Sequence, residues 1–243
     1  MNISVVIPAY NEQKYIGACL DSIFAQTKKA HEIIVVDNNS TDDTTKIVKK
    51  YPDVLLMHEP RQATVYARDT GFNHATGEVI ARIDADCIAS ADWLHNIEKI
   101  LEDKSVDAVT GAVEHYDLPK KTSKEFLKLH RLIERNIGYP LTLGANLALC
   151  ASLWKKISAN VCDNEDPYMF EDTDLGIHIH LEGGNAMISP AITVDTTARR
   201  FKKNPLEILV DYPKRIIYTL NKHKVPNTLK LSDFYKALLP RST

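Results

Sequence analysis

Four short apolar runs, each separated from the next by a stretch of helical periodicity, dominate the first third of the chain. They are Ile3-Ser4-Val5-Val6-Ile7 closed by Pro8, Glu32-Ile33-Ile34-Val35-Val36-Asp37, Val54-Leu55-Leu56-Met57 and Val79-Ile80-Ala81-Arg82-Ile83. Near-continuous apolar character, rather than strict alternation, marks strands buried on both faces. Between them Ile16, Cys19, Leu20, Ile23 and Phe24 recur at helical spacing, and Thr44, Ile47 and Val48 lie in a second helix. A third helix is expected over Val65–Ala75, with Gly77 as its stop. Strands and helices alternating in this way make βαβ units, hence a parallel sheet with right-handed crossovers.

Ligands of such sheets bind beyond the carboxyl ends of the strands. Asp37 ends the second run, and Asp84-Ala85-Asp86 follows the fourth. Side chains alternate along a strand, so Asp84 and Asp86 are expected on one side with Ala85 pointing away. Two carboxylates there suit a hard divalent cation; capping of the turn that contains Ser90 and Asp92 is the other use open to them. The first turn carries neither G-x-G-x-x-G nor G-x-x-x-x-G-K-[ST], which removes the main support for a dinucleotide fold or a P-loop. Asn38-Asn39-Ser40-Thr41-Asp42 is rich in side chains that hydrogen-bond local backbone.

Further on, the pattern predicts a helix over Trp93–Glu102, a strand over Val106–Gly111 and an amphipathic helix over Ser123–Asn136 whose apolar face packs on the core. Leu143–Leu149 reads as strand or loop and holds Asn146 in apolar company, where a buried amide needs partners, structural or ligand. Tyr168–Ile177 passes through Glu171, Asp172 and Asp174 into a helix whose dipole favours acids in its first turn. Ala186–Ile188 and Ile192–Val194 are short final strands, followed by helical pieces at Leu206–Val210, Pro213–Leu220 and Asp233–Leu239 behind Ser232. His178 and His180, two apart on a helix, face different sides, so no shared metal is expected of them.

The length of 243 residues allows one sizeable domain with a small appendage. No apolar run approaches the roughly 20 residues a membrane span needs, and Met1 leads straight into a strand without a signal peptide. Cys19, Cys87, Cys150 and Cys162 show no metal or disulfide spacing, so reduced thiols and a cytoplasmic location are expected. Charge is uneven: residues 199–243 hold 11 Lys and Arg against three acids, leaving 19 against 29 for residues 1–198. An acidic body with a basic tail suits an anionic partner at the tail, such as phosphate or a membrane surface, or simply a solvated face.

Taken together, Pro8-Ala9-Tyr10-Asn11-Glu12, Val35–Asp42, Asp84-Ala85-Asp86 and Glu171-Asp172, in that order, resemble the family 2 glycosyltransferases, inverting enzymes of the GT-A fold that use a sugar nucleotide and a divalent metal. The resemblance covers about residues 3 to 200. It implies a Rossmann-like, mostly parallel α/β sheet flanked by helices over 1–200, with a nucleotide half to about 110 and an acceptor half beyond it. Residues 201–243 are then a basic helical extension. By the same resemblance Pro8, Ala9, Tyr10 and Glu12 form the first nucleotide loop, and Asp37, Asn39, Arg68 and Asp84 support the nucleotide. Asp86, with Asp84 on metal or ribose, holds Mn²⁺ or Mg²⁺. Asp172 is the general base, with Glu171 orienting the acceptor. Gly144 and Asn146, and the basic Arg199 and Arg200, lie near donor sugar, diphosphate or acceptor. Asn38 and Asp69 depart from the family's usual Asp and Asn. The implied partners are a UDP- or GDP-sugar and a glycan or lipid-linked acceptor, with no nucleic acid. The basic tail, whose charges lie among apolar residues, is itself suited to peripheral contact with an anionic membrane, to closing over the active site or to forming a dimer.

Two other classes compete. A sugar-nucleotide nucleotidyltransferase wants a Gly-rich first loop bearing Arg and Lys, which Pro8–Glu12 does not supply. A binding module without turnover is opposed by the presence of both Asp84-Ala85-Asp86 and Asp172.

Overall fold

The computed structural model describes residues 1–118, 121–161, 166, 168–204, 210–230 and 232–234, with the backbone alone at 121–126, 200 and 201. Parallel strands β1 (Ile3–Ala9), β2 (Glu32–Asp37), β3 (Val54–His58) and β4 (Val79–Ile83) alternate with helices α1 (Ile16–Phe24), α2 (Thr44–Val48) and α3 (Thr64–His74), as the four apolar runs predict. Then come β5 (Cys87–Ala89), α4 (Trp93–Leu101), β6 (Ala108–His115), α5 (Lys121–Ile137), β7 (Asn146–Cys150), α6 (Ala151–Ile157), α7 (Glu171–Leu181), β8 (Ala186–Thr196), α8 (Arg199–Lys203) and α9 (Tyr212–Lys222). The sheet order is β3-β2-β1-β4-β7-β6-β8-β5. Strand β7 runs antiparallel to both β4 and β6, so the sheet is mixed but mostly parallel.

Strand alternation decides which layer each side chain joins. Val5, Ile7, Ile33, Val35, Ala81 and Ile83 pack under α1 and α4, whereas Val6, Ile34, Val36 and Ile80 pack with Phe72 of α3 and Leu175 of α7 on the other face. Arg82, two positions after Ile80, therefore belongs to the α3–α7 face. Its backbone there is central strand, so a guanidinium is driven into a buried place.

Two expectations need correcting. Pro8 and Ala9 belong to β1 rather than to a turn; β4 pairs with β1 only as far as Val6, so the N–H that Pro8 lacks falls beyond the last β1–β4 pair. The two short last strands are one, β8, and the register with β6 jumps from Ser189 to Thr193 across Pro190, which a bulge absorbs. Strand β5 and helix α6 had no counterpart in the sequence pattern.

The described part of the basic tail is packed against the body. Ile216 and Leu220 of α9 share a buried cluster with Leu129 and Ile133 of α5, Ile177 of α7 and Phe234. Each such side chain contributes roughly 1.5–3 kcal/mol on burial, which holds a helix that would be marginal alone. Those two apolar residues are thus turned into the protein and are not offered to a membrane. Positions 205–209 and 235–239, where helical pieces were expected, lie outside the described residues. Among the described residues no helix is long and apolar enough to cross a membrane.

Candidate active site

Three parallel strands finish side by side at one sheet edge: β2 at Asp37, β1 at Ala9 and β4 at Ile83. With neighbouring strands about 4.8 Å apart, the ends of β2 and β4 straddle a shelf about 10 Å wide. Tyr10, just past β1, is 49 % exposed on this shelf. Asp37 is nearly buried, its oxygens 3.3 and 3.4 Å from the Ser40 N–H nitrogen and one of them 3.5 Å from His58 Nδ1.

Left-handed asparagines tie the loops around the shelf together. Asn11 (φ 55°) and Asn39 (φ 66°) occupy a conformation Asn tolerates better than most residues. Asn11 accepts from the Thr41 N–H, while Asn39 donates to the Pro60 carbonyl. Asn38 donates to the carbonyls of Glu59 and Arg61. The amide of Asn38, where the family resemblance leads to the expectation of a second acid, therefore holds the β3–α3 loop, and the Asn39 amide does the same.

Asp84-Ala85-Asp86 does not prolong β4. It makes a tight turn in which the Cys87 N–H donates to the Asp84 carbonyl at 3.0 Å, while Ala85 is buried in the core under α1. Both carboxylates line a cavity of about 410 Å³ that also touches Arg82, Gly144, Glu171 and Asp172. Asp37, Tyr10, Asn39 and Asn146 are not part of its wall. Arg199, at the start of α8, reaches Asp86 Oδ2 at 3.0 Å and forms a short ion pair with Glu12 while its guanidinium stacks 4.9 Å from the Tyr15 ring centre. The segment that carries it is fixed by Asp117, which accepts from the Ala198 N–H at 2.7 Å and from Lys202 at 2.8 Å. Burial raises the Glu12 carboxyl, Arg199 works against this, and the charges of Asp86 and Asp84 add to the rise.

Deeper in the cavity, Arg82 is 2 % exposed and bridges the strand end to the head of α7: Nη2 lies 3.2 Å from Asp84, Nη1 2.7 Å from Glu171 and 3.6 Å from Asp172. Arg68, fully buried on α3, pairs with Asp69 at 2.8 Å and Glu171 at 2.5 Å. It thus holds Glu171 in place, and Asp69, which had no assigned role, is its second partner. Helix α3 can approach this closely because Gly71 faces Val6, which a Cβ there would strike.

The two acids at the head of α7 are driven apart. Burial opposes ionisation of Glu171, but Arg82 and Arg68 outweigh it and hold its carboxyl well below the ordinary range. Burial followed by the neighbouring Glu171 charge pushes the Asp172 carboxyl well above its ordinary range, against the pull of Arg82. Among the described residues Asp172 Oδ1 is buried without a hydrogen-bond partner. Two carboxylates with separated affinities for protons, both lining a cavity, are suited to acid–base work. Gly144 is required here: a Cβ would run into Asp172 and the Arg82 guanidinium. Across the cavity stand Leu129, Met169, Phe170, Arg215 and Ile216, so α9 forms part of the wall.

The donor set suits a divalent cation. Among the residues just named, Arg68, Arg82 and Arg199 face six carboxylates, those of Glu12, Asp69, Asp84, Asp86, Glu171 and Asp172. Glu12 Oε2 is also buried without a partner among the described residues.

Asn146 is not part of the cavity wall. Its Oδ1 accepts from Trp93 Nε1 at 2.9 Å, and its Nδ2 donates to the carbonyls of Ala112 at 2.9 Å and Ile192 at 3.2 Å. It is fully buried, and its amide joins β7 to β6, β8 and α4. The side chain of Arg200 lies outside what the structure describes. The residue that sequence reasoning missed is Arg82, and the signal was present: one arginine in an otherwise apolar central strand is buried at a cost and needs partners.

The family model "Glycosyl transferase family 2" matches residues 4–151. Glycosyltransferase AglE of Haloferax volcanii is 34% identical over 119 residues, which cover 46% of this chain and 39% of that protein. The poly(ribitol-phosphate) beta-glucosyltransferase of Bacillus spizizenii is 32% identical over 171 residues, 64% of this chain and 26% of that protein. The matches thus span well under half of these relatives. Among solved structures, residues 1–349 of S. aureus TarS in complex with UDP superpose with a TM-score of 0.64 at 17% identity, covering 98% of this chain and 70% of that one. The same TarS fragment in complex with UDP-GlcNAc gives 0.63, with the same coverage. At that identity the likeness concerns the fold.

Proposed function

The chain belongs to glycosyl transferase family 2, and from that premise we propose that it moves a sugar from a nucleoside-diphosphate sugar to an acceptor hydroxyl with inversion at the anomeric carbon. One observation carries the reading: Arg82 joins Asp84, at the strand-end corner, to Glu171 and Asp172 on α7, and all four line the same cavity.

In this reading the nucleotide lies across the ends of β2, β1 and β4, with Tyr10 and Asp37 on its far side and Asp84 at the near one. The diphosphate comes to Asp84 and Asp86, with Arg199 beside them. Asp86 and Asp84, with Glu12 adjacent, would hold Mg²⁺ or Mn²⁺, which when bound offsets the charge developing on the leaving diphosphate. Asp172 takes the proton of the acceptor hydroxyl as its oxygen bonds to the anomeric carbon. The bond between that carbon and the phosphate oxygen breaks, and its electron pair leaves with the nucleoside diphosphate. Glu171, fixed by two arginines, stays ionised and keeps Asp172 basic enough to serve. The acceptor, a glycan or lipid-linked sugar, enters along the wall formed by Phe170 and α9. The complexes of the TarS fragment make UDP-sugars the first donors to try, with GDP-sugars next.

A thermal-shift screen of UDP, GDP and dTDP sugars with and without Mn²⁺ or Mg²⁺ tests this. One nucleotide class is expected to raise the melting temperature in a metal-dependent manner, and Asp86→Asn is expected to abolish that dependence. No stabilisation by any nucleotide sugar removes the reading.

A further inference from the structure

Asp174 and His178 stand one turn apart on α7, and His223 directly follows α9. One oxygen of Asp174 lies 2.7 Å from His223 Nε2 and 3.6 Å from His178 Nε2, and the three ligand atoms fall within 4.8 Å of one another. Asp174 is 1 % exposed, and the histidine side chains are 11 % and 18 % exposed. None of the three lines the cavity, and the transfer chemistry uses none of them. His180, the other histidine of α7, stacks on Tyr139 with ring centres 3.9 Å apart, so the helix does separate the two histidines.

We propose that Asp174, His178 and His223 form a zinc site that fastens α9 to α7. Two imidazole nitrogens and a carboxylate oxygen are a donor set that suits Zn²⁺ far better than Mg²⁺ or Ca²⁺, which prefer oxygen alone. Bonds of about 2.0–2.1 Å put tetrahedral ligand atoms about 3.3 Å apart. The observed 2.7 and 3.6 Å separations bracket that spacing, so small side-chain shifts suffice. A ligating histidine must be neutral with a free lone pair. His178 Nε2 has no hydrogen-bond partner among the described residues. The third ligand is held by backbone: Val225 N–H donates to the Leu220 carbonyl at 2.9 Å, and Lys224 turns left-handed at φ 56°, which closes the end of α9 around His223.

The site would act at a distance on the cavity. The first turns of α9 supply Tyr212, Pro213, Arg215 and Ile216 to the cavity wall. A metal bridging the far end of α9 to the helix that bears Asp172 would set how that wall stands against the proposed base.

The test strips the full chain with EDTA and refills it with zinc under excess Mg²⁺, which occupies hard carboxylate sites. Bound zinc is then counted by mass spectrometry of the metal after dialysis. Wild type and Asp86→Asn are expected to retain a single equivalent, and His178→Gln and His223→Gln to lose it. Wild-type crystals measured at the zinc edge are expected to give an anomalous peak between the three side chains, a result that does not depend on any variant folding. Wild type that retains no zinc and gives no peak there, or histidine variants that retain it fully, overturns the proposal. Because metal content is read rather than sugar transfer, this result and that of the donor screen stand or fall separately.

Discussion

Arg82 Nη1 and Glu171 Oε1 lie 2.7 Å apart although 89 positions separate them in the chain, and both side chains are largely removed from solvent. This contact joins the end of β4 to the head of α7. Replacing Arg82 by Met removes one partner of a buried pair and leaves Glu171 with Arg68 alone. Losses of that kind cost about 3–5 kcal/mol, so urea unfolding of Arg82→Met is expected to show a deficit of that order. Arg82→Lys keeps the charge without the two-pronged geometry. It is expected to fold with a smaller deficit yet transfer poorly.

Asp172→Asn is expected to bind the nucleotide sugar with unchanged affinity and to lose about 10²- to 10⁴-fold in transfer, the usual worth of a general base. Calorimetric titration of the donor and a turnover assay, run on the same preparation, separate the two effects. An equal loss of donor binding would remove Asp172 from the role.

The raised Asp172 carboxyl fixes the sign of the pH dependence. A base must be deprotonated to act, and a raised proton affinity leaves it protonated at pH values where an ordinary aspartate, near 3.9, is already ionised. Turnover is therefore expected to climb with pH well above the ordinary carboxylate range. A rate profile already flat from about pH 5 upward, where an unperturbed aspartate is ionised, would contradict this.

Gly144→Ala places a methyl group against Asp172 and Arg82. Transfer is expected to fall sharply while nucleotide binding at the β1 and β2 ends holds, a split visible as a fall in kcat with little change in donor affinity.

Asn146→Ala separates a structural from a ligand-binding amide. It strips partners from Trp93, Ala112 and Ile192 in the core. Each buried group left unsatisfied costs about 1–3 kcal/mol, so the variant is expected to lose at least about 2 kcal/mol of stability with the donor KM unchanged.

What the sequence made legible was local or periodic. The runs ending near Ile7, Asp37 and Ile83 became β1, β2 and β4 because strands buried on both faces need little beyond apolar continuity, while the run ending near Met57 became the partly exposed edge strand β3. Asp84 and Asp86 stood out because acids follow an apolar run, and Asp172 because Glu171-Asp172 resembles the Glu-Asp pair of the family. Strand β5 has only three residues and helix α6 seven, too short for periodicity to register. Pairings across long separations were out of reach for the same reason. Nothing in the sequence linked Arg68 and Arg82 to Glu171, or His223 to Asp174. Asn146 was recognised as an amide in need of partners, but only the packing of β6, β7, β8 and α4 could say which ones.

Sugar transfer with inversion is tested most directly by proton NMR of donor hydrolysis, with water as acceptor and Mn²⁺ replaced by Mg²⁺ to keep the lines sharp. From an α-linked UDP- or GDP-sugar, wild type is expected to release the β-anomer as its first product, and Asp172→Asn to release none above background. An α-anomer as first product, or a wild type that turns over no donor in the presence of metal, contradicts the assignment of Asp172 and the metal corner to an inverting transfer site.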